Sequence, residues 1–260
     1  MKTIVMANHK GGASKTTTTL ALATSLHLRG FRVLIIDLDP QSTAGIASRA
    51  NIAVNANTLT VLLRHCTLAD AIQHCEHYDI CPAPAHDDLE QAAFSLVNTP
   101  GKELRLREAI ASLPDDAYDF VLLDTGKGLG LLHIIALTAA DYLIIPSVAE
   151  AYSTIGVMQL LEDFEPIRQY YNQSLRVLGV LVTKYSKQWS VCQKCTEAAE
   201  ELAGMYHIPT FKTKIRRCAA VVNAQYDQVD IITGIPLSKN KAAQDYITFT
   251  DEMLTALGEQ

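Results

Sequence analysis

The residues best suited to chemistry near the start of the chain form a glycine-rich segment that ends in lysine and threonine. The segment 8–17 follows an apolar run typical of a β-strand and opens a run typical of a helix. Backbone N–H groups in such a turn converge at the positive end of the helix dipole, where phosphate oxygens bind. The pattern predicts a phosphate site made of Gly11, Gly12, Ala13, Ser14, Lys15, Thr16 and Thr17.

Two of these side chains have expected roles of their own. Lys15 is expected to reach the β- and γ-phosphates, and the Thr16 hydroxyl is expected to ligate Mg²⁺. The alternative is an ordinary strand-to-helix turn that happens to carry glycine and lysine. The acidic residues further along the chain favour the phosphate site.

Three carboxylates stand at the predicted ends of two apolar strands. Asp37 and Asp39 close the run 33–39, which Pro40 stops, and Asp124 ends the run 120–124. A carboxylate beside a metal-bound nucleotide holds a metal-bound water or orients the attacking water. We therefore expect Asp37 and Asp124 to hold Mg²⁺ through water. Two alternatives stay open: Asp37 alone fits a polar turn that caps the next helix, and apolar strands often end in aspartate.

The elements that must position these residues alternate between short apolar runs and longer helical runs. Strands are predicted at 3–7, 33–37, 120–124, 142–146 and 177–183, with a weaker one at 209–211. Helices are predicted at 15–29, 103–113, 129–139, 154–171, 191–206 and 239–257. The strands are nearly continuous in hydrophobicity, which favours a parallel sheet buried on both faces. The prediction is an α/β, doubly wound, mostly parallel sheet with helices on both faces, forming one domain over residues 1–260.

Composition narrows the class of protein. The 260 residues are 48% hydrophobic and 19% charged, which excludes disorder. No run reaches the length of about 18 apolar residues that a membrane span needs, and the N-terminus does not resemble a signal peptide, so we expect a cytoplasmic protein. A net charge of −6 argues against a protein that binds nucleic acid through its overall electrostatic field. The six cysteines are expected to be reduced, and Cys192 and Cys195 lack the second pair of a zinc site.

The phosphate segment resembles the deviant Walker A motif of the ParA/MinD family, Lys-Gly-Gly-x-Gly-Lys followed by two Thr or Ser. Lys10 matches the first lysine of that motif. The resemblance implies a P-loop NTPase fold, bound ATP and Mg²⁺, and a homodimer in which Lys10 contacts the phosphates held by the other subunit. It further implies that Asp39, within Asp-Leu-Asp-Pro-Gln, supports hydrolysis and that Thr183 meets the adenine base. The likeness is greatest to ParA and covers nearly the whole chain, least at 51–100.

Two departures from the family pattern bear on hydrolysis. Ser14 stands where the family has glycine, and a left-handed backbone there would cost a non-glycine residue about 1–2 kcal/mol. Its hydroxyl could instead donate to a phosphate oxygen, so the sign of the effect stays open. Gly126 and Lys127 stand where the family usually has two prolines. Glycine leaves more backbone freedom in this switch segment, so we expect slow turnover. Lys127 either approaches the γ-phosphate or is simply solvated.

The resemblance also suggests what the protein associates with. Members of the family that coat DNA use basic residues in the C-terminal half, and the densest cluster here is Lys212, Lys214, Arg216 and Arg217. Such a patch would bind DNA without sequence preference and would associate the protein with the nucleoid. We expect a ParB-like centromere-binding protein as the partner. The last predicted helix carries Asp245, Asp251 and Glu252, which argues against membrane binding.

Three alternatives to a DNA-partition ATPase remain open at this stage. One is a nucleotide-gated DNA-binding regulator that has lost hydrolysis through the changes at residues 14 and 126–128. The second is a related ATPase that positions a protein cargo. The third is a metal-cluster carrier, which would need a paired cysteine motif bridging a dimer.

Overall fold

The computed structural model describes residues 1–84, 96–128 and 130–259. In these residues the strands, labelled β1 to β7, are Lys2–Met6, Val33–Leu38, Gln73–His74, Asp79–Cys81, Phe120–Thr125, Tyr142–Val148 and Arg176–Thr183. The helices, labelled α1 to α10, are Lys15–His27, Thr43–Ala47, Thr58–Leu62, Leu68–Ala71, Arg105–Ala111, Leu131–Ala139, Ser153–Tyr170, Ser190–Met205, Ala219–Tyr226 and Lys241–Leu257. A 3₁₀ turn, Lys102–Leu104, precedes α5.

The strands form one sheet in the order β3-β4-β2-β5-β1-β6-β7. Neighbouring strands run parallel except for β3 and β4, which are antiparallel. The two central strands β2 and β5 are buried along their whole length. This burial explains why their sequences are continuously apolar up to a terminal polar residue. The predicted fold, a doubly wound and mostly parallel α/β sheet, is confirmed.

Apolar side chains of the strands alternate between two cores, one on each face of the sheet. Ile4 and Met6 of β1 pack into the core that α1 and α10 cover. Val5 and Ala7 point to the opposite core, which α5, α6 and α7 cover. Each face is thus closed by helices, as right-handed crossovers between parallel strands require. Within the described ranges, no helix is long and apolar enough to span a bilayer.

Several predicted elements differ from the structure. The strand predicted at 209–211 is wrong: only Thr210 forms a bridge, to Val180, because the chain then turns and the Lys212 amide donates to Glu252. The sequence analysis predicts no strand between residues 37 and 120, yet Asp79–Cys81 form β4 and Pro82 follows it directly. The helix predicted from residue 129 begins at Leu131, and residue 129 lies outside the described residues.

The sheet brings the carboxyl ends of four strands to one edge. Asp124 near the end of β5 is the register partner of Met6 at the end of β1 and of Asp37 near the end of β2. Asn8 lies two residues after β1, and Thr183 ends β7 at the same side of the parallel sheet. In open α/β sheets ligands bind beyond these carboxyl ends. The polar residues singled out by the sequence therefore converge there.

Candidate functional site

The loop between β1 and α1 has two residues with a left-handed backbone conformation before the helix begins. Gly12 has a φ of 72°, and Ser14 has a φ of 69° with a ψ of 25°. The Ser14 carbonyl accepts the first helical hydrogen bond, from the Thr18 amide at 2.9 Å. The position where the resembling motif has glycine is therefore left-handed, and serine there costs about 1–2 kcal/mol.

Lys15 lies almost fully buried beneath this loop. Its Nζ donates to the Asn8 carbonyl at 3.1 Å, and the residue as a whole is only 7% exposed. Burial lowers the pKa of Lys15, and the carboxylates of Asp124 and Asp39 oppose that shift. Asn8 is itself fixed, because its amide donates to the Pro146 carbonyl at 2.7 Å. The lysine ammonium is thus held at a defined place between the loop and two acids.

Asp124 is a buried carboxylate with an incomplete set of partners. Its Oδ1 accepts from the Thr19 hydroxyl at 3.2 Å, and the Thr16 hydroxyl lies nearby. Its Oδ2 is buried and has no hydrogen-bond partner in the part of the chain that the structure describes. Burial raises the pKa of Asp124 to about 7. A buried, unsatisfied oxygen beside a threonine hydroxyl fits a hydrated divalent cation, which prefers such oxygen donors.

Asp37 has a different set of contacts from the one predicted. Its Oδ1 accepts from the Asp39 amide and its Oδ2 from the Gly45 amide, each at 3.0 Å. Burial, and then the charge of Asp124, raises the pKa of Asp37 well above its usual range. Each oxygen accepts from one backbone amide and keeps further acceptor capacity, so the role of Asp37 in holding a metal-bound water stays a prediction. The two amide contacts also fix the loop that carries Asp39.

Asp39 and Gly126 are in close contact. Asp39 is partly exposed, and its Oδ1 accepts from the Gln41 amide at 3.0 Å. A Cβ atom on Gly126 would lie 3.1 Å from that same Oδ1 and 3.0 Å from Cδ of Pro40. A side chain at this position would push Asp39 or Pro40 by a few tenths of an ångström, so the glycine that replaces a family proline is closely packed and not only a source of backbone freedom. Lys127 beside it is exposed at the mouth of the site.

A cavity of about 720 Å³ opens above the loop. Its lining comprises 11–17, Asp39, Pro40, Lys127, Thr183, Lys184 and 215–218, together with Gln225 and Tyr246. Gln225 of α9 donates to the Thr17 hydroxyl at 3.0 Å, which links the loop to the far wall. Thr183 is buried at the end of β7, and its hydroxyl has no partner among the residues described. The volume suits a ligand of nucleotide size.

Lys10 points away from this cavity. Its Nζ donates to the Ser153 hydroxyl at 3.0 Å and to the Ala151 carbonyl at 3.1 Å, and it lies 3.8 Å from the Glu150 carboxylate. Glu150 and Ala151 belong to the loop between β6 and α7, and Ser153 begins α7. Lys10 therefore does not reach the cavity of its own chain, whereas Lys15, Thr16 and Asp39 line it and Asp124 lies buried beside Lys15 and Thr16.

The basic cluster at 212–217 is largely neutralised by acidic residues. Arg216 forms a two-pronged pair with Asp245, which raises the arginine pKa further. Lys214 lies 2.8 Å from Glu200, and Arg217 lies 2.8 Å from Glu150 and over the ring of Trp189. The fourth cation, Lys212, is exposed. These acidic partners come from distant segments of the chain. The net positive charge of the folded cluster is therefore smaller than its local sequence suggested.

Sequence reasoning missed several residues of the site. Lys184 lines the cavity and donates from Nζ to the Gly12 carbonyl at 3.0 Å. Glu150 bridges Lys10 and Arg217. The one available signal for Lys184 was its place directly after Thr183, at the carboxyl end of a strand. Nothing in the sequence pairs Glu150 with residues so far away in the chain.

Comparison with known proteins places this arrangement among nucleotide-binding proteins. Residues 1–177 match the protein-family model described as an AAA domain. The chromosome-partitioning ATPase Soj of Thermus thermophilus is 34% identical over 100% of this chain and 98% of its own. The sporulation initiation inhibitor protein Soj of Bacillus subtilis is 31% identical over 97% of this chain and 98% of its own.

Solved structures that resemble this chain include proteins with bound nucleotide and magnesium. Cobyrinic acid a,c-diamide synthase from Mycobacterium smegmatis, with bound ADP and magnesium, is 28% identical with a TM-score of 0.85, and the match covers 99% of this chain and 96% of that one. The septum site-determining protein MinD of Pyrococcus horikoshii, complexed with Mg-ADP, is 22% identical with a TM-score of 0.79 and coverage of 99% and 97%. The second likeness shows the shared fold alone.

Proposed function

The chain belongs to the ParA/MinD-type family of P-loop ATPases, and on that premise we propose that it is a partition ATPase. It binds ATP and Mg²⁺ in the cavity above the loop 11–17. The observation that carries this proposal is the meeting of Lys15, Thr16 and Asp124 at one buried point, with Oδ2 of Asp124 unsatisfied. The cavity draws on segments from Gly11 to Tyr246, so we treat residues 1–260 as a single nucleotide-binding domain.

The residues of the cavity have distinct proposed tasks. Amides of the loop 11–17 bind phosphate oxygens, and the Lys15 ammonium neutralises charge on the β- and γ-phosphates. The Thr16 hydroxyl ligates Mg²⁺ and Asp124 holds it through water. The metal, when bound, neutralises the charge that develops on the phosphates. Thr183 lies near the base, and Asp39 orients the attacking water.

Lys10 supports a dimeric site. It is tethered to Ser153 and the loop 150–151 and does not reach the cavity of its own chain. We propose that it contacts phosphates bound by a second copy of the chain, so that two ATP molecules are held between two protomers. A lysine contributed across an interface adds positive charge only when both subunits are in place, which makes hydrolysis depend on dimerisation.

The dimer associates with DNA without sequence preference, and a ParB-like partner stimulates hydrolysis and release. Two relatives, both named Soj, support this assignment through their names, which refer to chromosome partitioning and to sporulation initiation. The protein is proposed to be cytoplasmic and nucleoid-associated. Lys212 is the best placed of the predicted basic residues to contact DNA, since Lys214, Arg216 and Arg217 have carboxylate partners.

A second candidate function is a nucleotide-gated DNA-binding regulator with very slow hydrolysis. The observation that favours it is the left-handed Ser14 beside the phosphate site. The two candidates differ in turnover, so phosphate release with and without DNA and partner distinguishes them.

The test of the proposed function is ATP-dependent DNA binding, titrated with salt, for the natural protein and for Lys10→Ala. The natural protein is expected to dimerise and bind DNA only with ATP and Mg²⁺, and the affinity is expected to fall steeply with salt. Lys10→Ala is expected to keep ATP binding and to lose both dimerisation and DNA association. A Lys10→Ala protein that dimerises and binds DNA normally contradicts the dimeric site.

A further inference from the structure

Three residues in the left-handed region lie together at one wall of the cavity. Gly12 and Ser14 belong to the phosphate loop, with φ of 72° and 69°, and Lys184 follows β7 with a φ of 52°. Glycine adopts this region freely, whereas serine and lysine adopt it at a cost. The nucleotide-free chain therefore holds strain at two side-chain-bearing positions within the site.

Lys184 is connected directly to the strained loop. Its Nζ donates to the Gly12 carbonyl at 3.0 Å, and Gly12 is two residues before Ser14. A hydrogen bond from an ammonium group is stronger than one between neutral groups. It fixes the carbonyl of Gly12, and with it the orientation of the peptide that leads into Ala13 and Ser14.

The backbone that carries Lys184 is itself anchored on both sides. The Thr183 carbonyl accepts from the Ala149 amide at 2.9 Å. The Tyr185 amide donates to the Ile215 carbonyl at 2.9 Å, and the Tyr185 carbonyl accepts from the Arg217 amide at 2.8 Å. Lys184 thus extends from a rigid support that joins the end of β7 to the loop 215–217, the opposite wall of the cavity.

We propose that Lys184 is a positioning residue that holds the phosphate loop in its nucleotide-receiving shape and that this role compensates for serine at position 14. With glycine at that position the loop would reach the same shape without strain, and the lysine would contribute little. The inference rests on the proposed function, since the loop is taken to bind phosphate. It predicts a specific coupling between two residues that do not share a hydrogen bond in the structure.

The experiment is a double-mutant cycle of Lys184→Met and Ser14→Gly, followed by two readouts. Methionine keeps the unbranched stem of lysine and removes the ammonium group. The first readout is the Kd for Mg²⁺-ATP by calorimetry. The second is hydrogen exchange of the amides 11–16 without nucleotide, which reports the loop shape even if no variant binds ATP. Lys187→Met, at an exposed lysine three residues away, is the matched control.

In the natural background Lys184→Met is expected to weaken Mg²⁺-ATP binding about tenfold and to speed exchange of the loop amides by a similar factor. In the Ser14→Gly background both effects are expected to shrink to about twofold or less. Lys184→Arg, which can also donate to the Gly12 carbonyl, is expected to restore most of the affinity.

Equal effects in the two backgrounds overturn the proposal, because they mean that Lys184 acts on the bound phosphates and not through the loop. No effect in either background also overturns it. If no protein in the cycle binds ATP but the exchange rates show the coupling, the proposed function fails and the role of Lys184 stands.

Discussion

Asp37 and Asp124 face each other as register partners on the parallel strands β2 and β5, and both side chains are fully buried. Burial raises the pKa of both groups, the charge of Asp124 raises that of Asp37 further, and the charge of Asp39 raises that of Asp124 further. Asp37 is satisfied by two backbone amides, whereas one oxygen of Asp124 is not. The pair therefore places a poorly stabilised negative charge where a metal ion would stabilise it.

Asp124→Asn is expected to stabilise the nucleotide-free protein at alkaline pH while weakening Mg²⁺-ATP binding. The folded pKa of Asp124 is about 7, against about 3.9 for an unfolded aspartate. Between these values the unfolded chain releases a proton that the folded chain keeps, so the contribution of Asp124 to stability is present below about pH 4 and is lost as the pH rises through 7. Asparagine does not ionise, so the variant does not lose this stability as the pH rises.

The measurement is Tm against pH in metal-free buffer for both proteins, and their difference removes the titration of groups that do not interact with Asp124. At pH 8 the variant is expected to melt at least about 2–4 °C higher, and near pH 4 the two should coincide. Asp115→Asn, at an exposed position, serves as the control. A variant that is less stable than the natural protein at pH 8 contradicts the burial argument.

Gly126→Ala is expected to slow ATP hydrolysis without abolishing ATP binding. The new methyl group would lie 3.1 Å from Oδ1 of Asp39 and 3.0 Å from Pro40, so the loop with the proposed water-orienting acid must move. Small displacements of a catalytic group cost about tenfold or more in rate. The measurement is steady-state phosphate release together with the Kd for Mg²⁺-ATP.

Gly130→Ala is a close control for this change, since a Cβ there meets nothing within 4 Å. It is expected to leave hydrolysis near the natural rate. If Gly126→Ala hydrolyses ATP as fast as Gly130→Ala does, then the close packing of Gly126 against Asp39 does not affect hydrolysis.

Glu150→Gln is expected to favour ATP-dependent dimerisation by about twofold to fivefold, because an exposed ion pair is worth up to about 1 kcal/mol. Glu150 lies 3.8 Å from Lys10 and restrains it within its own chain, so removing the charge frees Lys10 for the second subunit. The dimer dissociation constant can be measured by analytical ultracentrifugation with ATP and Mg²⁺. Glu201→Gln, at an exposed site, is the control, and weaker dimerisation of Glu150→Gln is the contrary result.

Within the basic cluster, Lys212 and Arg216 are expected to behave differently. Lys212→Ala should leave Tm unchanged and reduce the slope of DNA affinity against salt by about one phosphate contact. Arg216→Ala should lower Tm, because it leaves the partly buried Asp245 carboxylate without its two-pronged partner. Thermal melting and salt-titrated DNA binding measure the two effects. Equal loss of DNA affinity in both variants, with unchanged Tm, opposes this assignment.

Much of the fold could be predicted because buried parallel strands carry a strong local signal. The runs at β2 and β5 are continuously apolar and end in Asp37 and Asp124, so both the strands and the sheet edge follow from the sequence. β4 could not be predicted in the same way. It is three residues long, with only Ile80 and Cys81 buried, and it forms because β2 offers it a parallel edge.

The features of the site fall into the same two groups: those that local sequence spacing predicts and those that depend on contacts between distant segments. Lys15 and Thr16 follow from spacing within one turn, and the structure places them beside Asp124. The partners of Arg216 and Lys10, in contrast, come from Asp245 and Glu150, which only the folded chain brings near. The close approach of Gly126 to Asp39 depends on backbone positions accurate to a few tenths of an ångström. Such distances are not encoded in any local pattern.

The most direct test of the nucleotide site is a calorimetric titration of Mg²⁺-ATP into the natural protein and into Lys15→Ala. Lys187→Ala is the control for loss of a positive charge, and thermal melting confirms that each variant is folded. The natural protein and the control are expected to bind with the same affinity, and Lys15→Ala is expected to show no measurable binding. Binding of ATP by folded Lys15→Ala with the natural affinity contradicts the account, because the phosphates would then lie elsewhere.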